Sequence, residues 1–178
     1  GRVFVAGQHH ESFPVVGDLQ DLLVSYGDPS KEAAEEWHSQ GNKIFSYANP
    51  QSGMEEPETY RRNYGLLLAA NDYDGGMTYV HYHGWNDFSG SRYRQHNFVY
   101  PTMDGVIDTV QWEGYREGID DLRYLGTLRN AIVEAREAGG DRARLADEAQ
   151  QFVDAMDVTG DLYDLREAMI AWILRLRG

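Results

Sequence analysis

Trp112-Glu113-Gly114-Tyr115-Arg116-Glu117-Gly118-Ile119-Asp120-Asp121-Leu122-Arg123-Tyr124-Leu125, preceded by Phe98-Val99-Tyr100-Pro101, is the stretch whose reading decides the fold. The chain turns helical from Thr109, and Glu113, Glu117, Asp120 and Asp121 lie early in that run. There they suit the positive end of the helix macrodipole. Arg116 stands four residues before Asp120, a spacing that allows an ion pair on one helix face. The run continues to Ala138, where Gly139-Gly140 breaks it. Two more helices are expected downstream, near residues 142–156 and 162–176. In the last, Leu162, Leu165, Met169, Trp172, Ile173 and Leu176 form one apolar stripe suited to packing.

Upstream, four short runs read as buried strands: residues 3–6, 22–26, 43–48 and 77–83. Helical signals lie between them. Asp28-Pro29 reads as an N-cap followed by proline at the first helical position, and the helix runs through Ala33, Ala34 and Trp37 to a stop at Gly41. Glu56-Pro57 opens a second helix, with Tyr60, Tyr64, Leu67 and Leu68 at helical spacing. The connection 7–21 is long enough for a crossover but shows no clear helix. Gly75-Gly76 reads as a turn ahead of the fourth strand, and residues 84–108 read as a long polar loop. Alternating strand and helix signals predict parallel α/β units.

The 178 residues allow a sizeable core, and 42% hydrophobic residues with 12 tyrosines argue for a folded chain. A net charge of −13 disfavours nucleic acid and anionic membrane surfaces as partners, because both require cationic surface. No stretch approaches the length of an apolar membrane span. Gly1-Arg2-Val3-Phe4-Val5 enters a strand-like run directly, and no signal peptide is visible in it. Zero cysteines exclude disulfides and thiolate chemistry.

In parallel α/β folds, ligands meet the loops at the carboxyl ends of strands. That rule selects Gln8-His9-His10-Glu11, Tyr26-Gly27-Asp28, Tyr47-Ala48-Asn49, and the run from His81 to Asp87. Strand alternation puts Tyr79, His81 and His83 on one face, too polar to lie beneath helices, and groups Phe45, Tyr47 and Asn49 on another strand. Aromatic rings stack on the CH-rich faces of sugars, while hydroxyls need fixed polar partners. The candidate substrate-binding residues are therefore Tyr47, Asn49, His81, His83, Trp85, Asp87 and Arg92. The alternative for each aromatic is core packing, and for His81 and His83 a hydrogen-bonded structural role. His9, His10 and Glu11, or His81 with His83, could offer zinc ligands. Adjacent histidines on one strand end point to opposite faces, however, and no helical HExxH spacing occurs, so no metal or cofactor is expected. No nucleophile elbow, phosphate loop or dinucleotide fingerprint is present in the sequence.

Asp74-Gly75, the aromatic run from Tyr79 to Trp85, Tyr100-Pro101, and the helix with Arg116-Glu117-Gly118-Ile119 followed by Tyr124-Leu125 come in a particular order. That order resembles the C-terminal part of glycoside hydrolase family 123 and its relatives. The resemblance implies an α/β fold that is the C-terminal half, strands five to eight, of a (β/α)8 TIM-type barrel. Residues 1–138 would form the half-barrel with its closing helix, and residues 139–178 a helical tail. It implies action on glycosidic bonds, with N-acetylhexosaminides as the substrate class and the substrate's own acetamido group as nucleophile. The family's catalytic Asp-Glu pair follows the fourth strand and would precede Gly1, so no catalytic residue is carried over. The implied partners are a carbohydrate ligand and the N-terminal half of the barrel. Gln111 and Arg123 depart from the pattern, since relatives carry arginine and an acidic residue there. A different class of function is a non-catalytic carbohydrate-binding or structural module; a third is a metal-dependent hydrolase using His9, His10 and Glu11.

Overall fold

Four short strands, β1 (Phe4–Gly7), β2 (Leu22–Ser25), β3 (Lys43–Ser46) and β4 (Gly75–Gly76), pair in parallel in the order β1-β2-β3-β4. They belong to a computed structural model that describes residues 1–47, 56–78, 81 and 97–178. The register sets Val5 beside Leu23 and Leu23 beside Ile44, with Val24 beside Phe45 and Phe45 beside Gly75. Each strand's neighbour in space is its neighbour in sequence. Right-handed crossovers of that kind all step in one direction and place their helices on one face of the sheet. Leu23 and Ile44 point to that face. They are fully buried in a cluster with Ala33, Ala34, Trp37, Leu68 and Tyr73, against which Phe13 packs. The fold is thus α/β with a four-stranded parallel sheet.

The crossover elements differ from the sequence reading in several places. Residues 7–21 contain a helix, α1 (His9–Val16), that was not expected. It carries Pro14 internally and buries none of its residues, so it lacks the apolar stripe that marks a helix in sequence. The next helix, α2 (Lys31–Ser39), is capped by Ser30 rather than Asp28: Ser30 has an extended backbone, and its Oγ accepts the Ala33 N–H at 3.1 Å. The helix opened by Glu56-Pro57 is two helices, α3 (Pro57–Asn63) and α4 (Leu66–Ala70). Gly65 separates them, and a β-carbon there would lie 2.9 Å from Gly118 Cα. Gly75-Gly76 is a strand rather than a turn. A side chain at Gly75 would meet the Phe45 ring at 2.9 Å, and one at Gly76 would meet the Tyr64 ring at 2.9 Å. Both faces of β4 are therefore filled by neighbouring aromatics.

Within the segment read as a loop, β5 (Val99–Pro101) and β6 (Val106–Asp108) form an antiparallel hairpin. The chain then enters α5 (Val110–Ala138) as expected. Thr109 caps it: its Oγ1 accepts the Trp112 N–H at 3.2 Å and donates to the Phe98 carbonyl at 2.7 Å. Arg116 pairs with Glu113 at 2.6 Å, and Asp120 with Arg123 at 2.8 Å. The first turns of α5 lie directly on α3. A β-carbon at Gly114 would collide with the Pro57 carbonyl, and one at Gly118 with the Arg61 carbonyl. The two glycines thus let main chain meet main chain.

The chain divides into two compact units, Gly1–Gly118 and Ile119–Gly178. The second unit holds the rest of α5 with α6 (Gly140–Asp154) and α7 (Leu162–Arg177). Gly139 and Gly140 have φ of 73° and 60°, a left-handed turn that ends α5 at the expected place. Leu162, Met169, Ile173 and Leu176 of the α7 stripe are buried, as are Leu128, Ile132 and Ala146. Arg166 bonds the fully buried Asp121 at 2.6 Å and lies over the Tyr124 ring at 5.5 Å.

Candidate functional site

The parallel ladder runs one step beyond the strand ends. Tyr26 N–H donates to the Gly7 carbonyl at 2.9 Å, Tyr47 N–H to Ser25 at 3.1 Å, and Met77 N–H to Ser46 at 2.8 Å. Successive side chains on a strand alternate faces. Leu23 and Ile44 face the helices, so Tyr26 and Tyr47, each three residues further on, face the other way. Met77 joins them, two residues past Gly75, which shares its face with Phe45. The carboxyl edge of the open face is thus a row of Tyr26, Tyr47 and Met77. The two tyrosine rings lie 5.6 Å apart, tilted by 45°, and Tyr26 and Met77 are 40% and 38% exposed. The row beneath holds Val24 and Phe45, and the amino-end row begins with Phe4, 56% exposed. This surface can stack on and shield a flat ligand face, and its phenols can hydrogen-bond; the row of Tyr26, Tyr47 and Met77 carries no carboxylate.

Of the residues chosen from sequence, Tyr47 stands in this row. His81 lies in a bend and is exposed. Its carbonyl accepts the Phe98 N–H at 3.0 Å, and its ring meets Trp112 edge-on at 6.4 Å. No ring contact joins Tyr47 to His81 among the described residues. Asn49, His83, Trp85, Asp87 and Arg92 lie outside the described residues. Tyr26 and Met77 were not chosen. Tyr26 falls in one of the four strand-end segments, so the signal was present; Met77 was read as the first residue of a strand whose pairing in fact begins at Gly75.

Trp112 belongs to an aromatic cluster with Tyr60, Tyr64, Phe98 and Tyr115. Trp112 and Tyr115 stack at 5.9 Å with their planes 7° apart, and Phe98 meets both edge-on. Burial pushes the Tyr64 phenol well above its ordinary range, with Tyr60 and Tyr115 adding to the shift. Burial also raises Tyr115. With Phe98 and Trp112 these rings form an aromatic cluster.

His9 and His10 open α1 at the carboxyl end of β1, their rings 5.2 Å apart. Burial lowers the His9 pKa, His10 lowers it further, and Glu36 opposes both. Among the described residues, no group of three or more His, Cys, Asp or Glu side chains could hold a metal ion. No described helix is long and apolar enough to cross a membrane. No protein-family model, curated protein or solved structure matches the chain.

Proposed function

We propose that this chain forms strands five to eight of a (β/α)8 glycoside hydrolase-like protein acting on glycosidic bonds, N-acetylhexosaminides being the class its motifs suggest. In this reading the open face of the sheet is the barrel interior, and the row of Tyr26, Tyr47 and Met77 is part of the sugar-binding rim. The observation that carries it is the consecutive parallel order β1-β2-β3-β4 with its helices on one face and an aromatic row at the strands' carboxyl ends. A barrel needs that order, whereas a doubly wound sheet reverses it at a switch point. In such barrels ligands meet the carboxyl face. His81, His83, Trp85, Asp87, Asn49 and Arg92 complete the proposed rim. The acid and the acetamido-orienting carboxylate would come from the other half of the barrel, which is the proposed macromolecular partner.

Saturation-transfer NMR of this chain with N-acetylglucosamine and N-acetylgalactosamine tests the binding claim. Transfer to ring CH and acetamido protons is expected, at about millimolar affinity. Tyr47→Ala is expected to weaken it roughly 3–10-fold, the loss of one ring contact. No transfer from either sugar would overturn the reading. Binding by a polypeptide carrying all eight strands, with no release of p-nitrophenol from its N-acetylhexosaminides, would instead favour a non-catalytic carbohydrate-binding module.

A further inference from the structure

Met103 at the tip of the β5–β6 hairpin is fully exposed, and Val106, Ile107 and Val110 are 56%, 53% and 49% exposed. Four exposed apolar side chains thus fall within residues 103–110, whereas such residues are ordinarily scattered singly over a surface. Val106 and Ile107 are successive residues of one strand, so both faces of β6 are open.

The backbone of β6 is open as well. Thr102 N–H donates to the Gly105 carbonyl at 2.8 Å, Tyr100 pairs with Ile107, and Thr109 N–H donates to the Phe98 carbonyl at 3.3 Å. In an antiparallel ladder, residues alternate between exchanging both bonds with the partner strand and turning both groups away. Gly105, Ile107 and Thr109 therefore face β5, while Val106 and Asp108 turn N–H and C=O outward. Neither has a hydrogen-bond partner there among the described residues. Proteins blunt such edges with proline, lysine or a covering element. Pro101 does so on β5, where it has no N–H to offer; β6 has neither proline nor lysine.

Charge selects what this edge accepts. Asp104 and Asp108 are exposed on either side of Val106-Ile107, residues 97–110 hold no basic side chain, and the chain carries −13 overall. A second copy laid antiparallel on β6 would bring two like-charged chains together and set its Asp108 beside Val106. A cationic strand meets neither obstacle. We propose that β6 is a site of strand addition for another polypeptide. Its occupant is an extended segment with apolar side chains beside Val106 and Ile107 and basic ones against Asp104 and Asp108. Main-chain bonds to Val106 and Asp108 supply attachment, and the side chains supply selectivity. The site shares no residue with the row of Tyr26, Tyr47 and Met77 and does not depend on the carbohydrate reading.

NMR titration of the isotope-labelled chain with acetyl-Lys-Val-Val-Thr-Lys-amide tests this. The Val106 and Asp108 amides are expected to shift and to gain exchange protection, with a Kd of about 0.1–1 mM at low salt. Replacing both lysines of the probe by glutamate should abolish binding, and about 0.5 M salt should weaken it roughly 3–10-fold. A strand turns alternate residues to its neighbour, so two probes N-methylated at alternate residues should differ. One should bind within about twofold of the parent and the other not at all. Val106→Pro, which removes an outward donor and leaves the inward ladder, should also abolish binding; the methylated probes put the same question to the unaltered chain. No shift at about 5 mM probe, equal binding by the two methylated probes, or equal binding by the glutamate probe would overturn the proposal. So would protection of these two amides that grows with protein concentration in the absence of probe, which would place a second copy on the edge.

Discussion

The two ends of the one parallel sheet are built from opposite chemistry. At the amino end, carboxylates collect the N–H groups of the strand starts: Asp21 accepts from Val3 at 2.6 Å and Asp74 from Ile44 at 3.0 Å. Asn42 adds a bond to the Gly17 carbonyl at 2.9 Å. At the carboxyl end, the strands run out into Tyr26, Tyr47 and Met77, while α5 meets α3 through its glycines. Polar clips need one geometry and hold the backbone to it. An aromatic row with exposed rings leaves its surface available. The contrast matches the division of labour in parallel α/β folds, where one end stabilises and the other meets ligand.

A large effect is expected where α5 leaves no room for a side chain. Gly114→Ala would drive a methyl group into the Pro57 carbonyl, and the obstacle is main chain rather than a side chain that can swing aside. A loss of about 3 kcal/mol, the upper part of the overpacking range, is expected in urea unfolding. A loss below about 0.5 kcal/mol would mean that α5 does not lie on α3 this closely in solution. The amino end should give a smaller, pH-dependent response. Asp74→Ala removes the acceptor of the Ile44 N–H and the partner of His38 and Lys43, at a cost of about 2 kcal/mol near neutral pH. Because the Asp74 carboxyl is held low, wild type has this advantage in full above the ordinary carboxylate range and loses it as pH falls through that range and below. A deficit that persists unchanged under strong acid would assign the cost to packing instead.

Legibility in the sequence followed the same division. Long amphipathic or well-punctuated elements were readable: α5 from Thr109 to the glycine break, the α7 stripe, and three of the four strands to within two residues. What could not be read was set by contacts distant in sequence. Gly75-Gly76 read as a turn ahead of a strand starting at Met77 rather than as strand themselves, because those glycines answer to the rings of Phe45 and Tyr64. Gly65 likewise answers to Gly118, and α1 shows no apolar stripe because it packs on the core through Phe13 and buries none of its residues fully. At the candidate site, strand-end logic named Tyr47, which stands in the row at the strand ends, and pointed to the segment of Tyr26. It missed Met77, whose place depends on the register of β4. The contact of His38 with Asp74 was invisible, since the two lie more than thirty positions apart in the chain.

The smallest effect is expected on the open face, and it separates that face from the one beneath the helices. Phe4 and Leu23 stand on adjacent strands, but Phe4 is 56% exposed and Leu23 is fully buried. Threonine keeps the strand preference of position 4 while removing the ring. Phe4→Thr should therefore change the unfolding free energy by no more than about 0.5 kcal/mol, as for ordinary surface positions. Leu23→Ala, against Trp37 and Ile44, should cost about 2–5 kcal/mol. A cost for Phe4→Thr approaching that of Leu23→Ala would show that the open face is covered in solution. A concentration-dependent melting temperature, abolished by the same substitution, would trace the cover to a second copy of the chain.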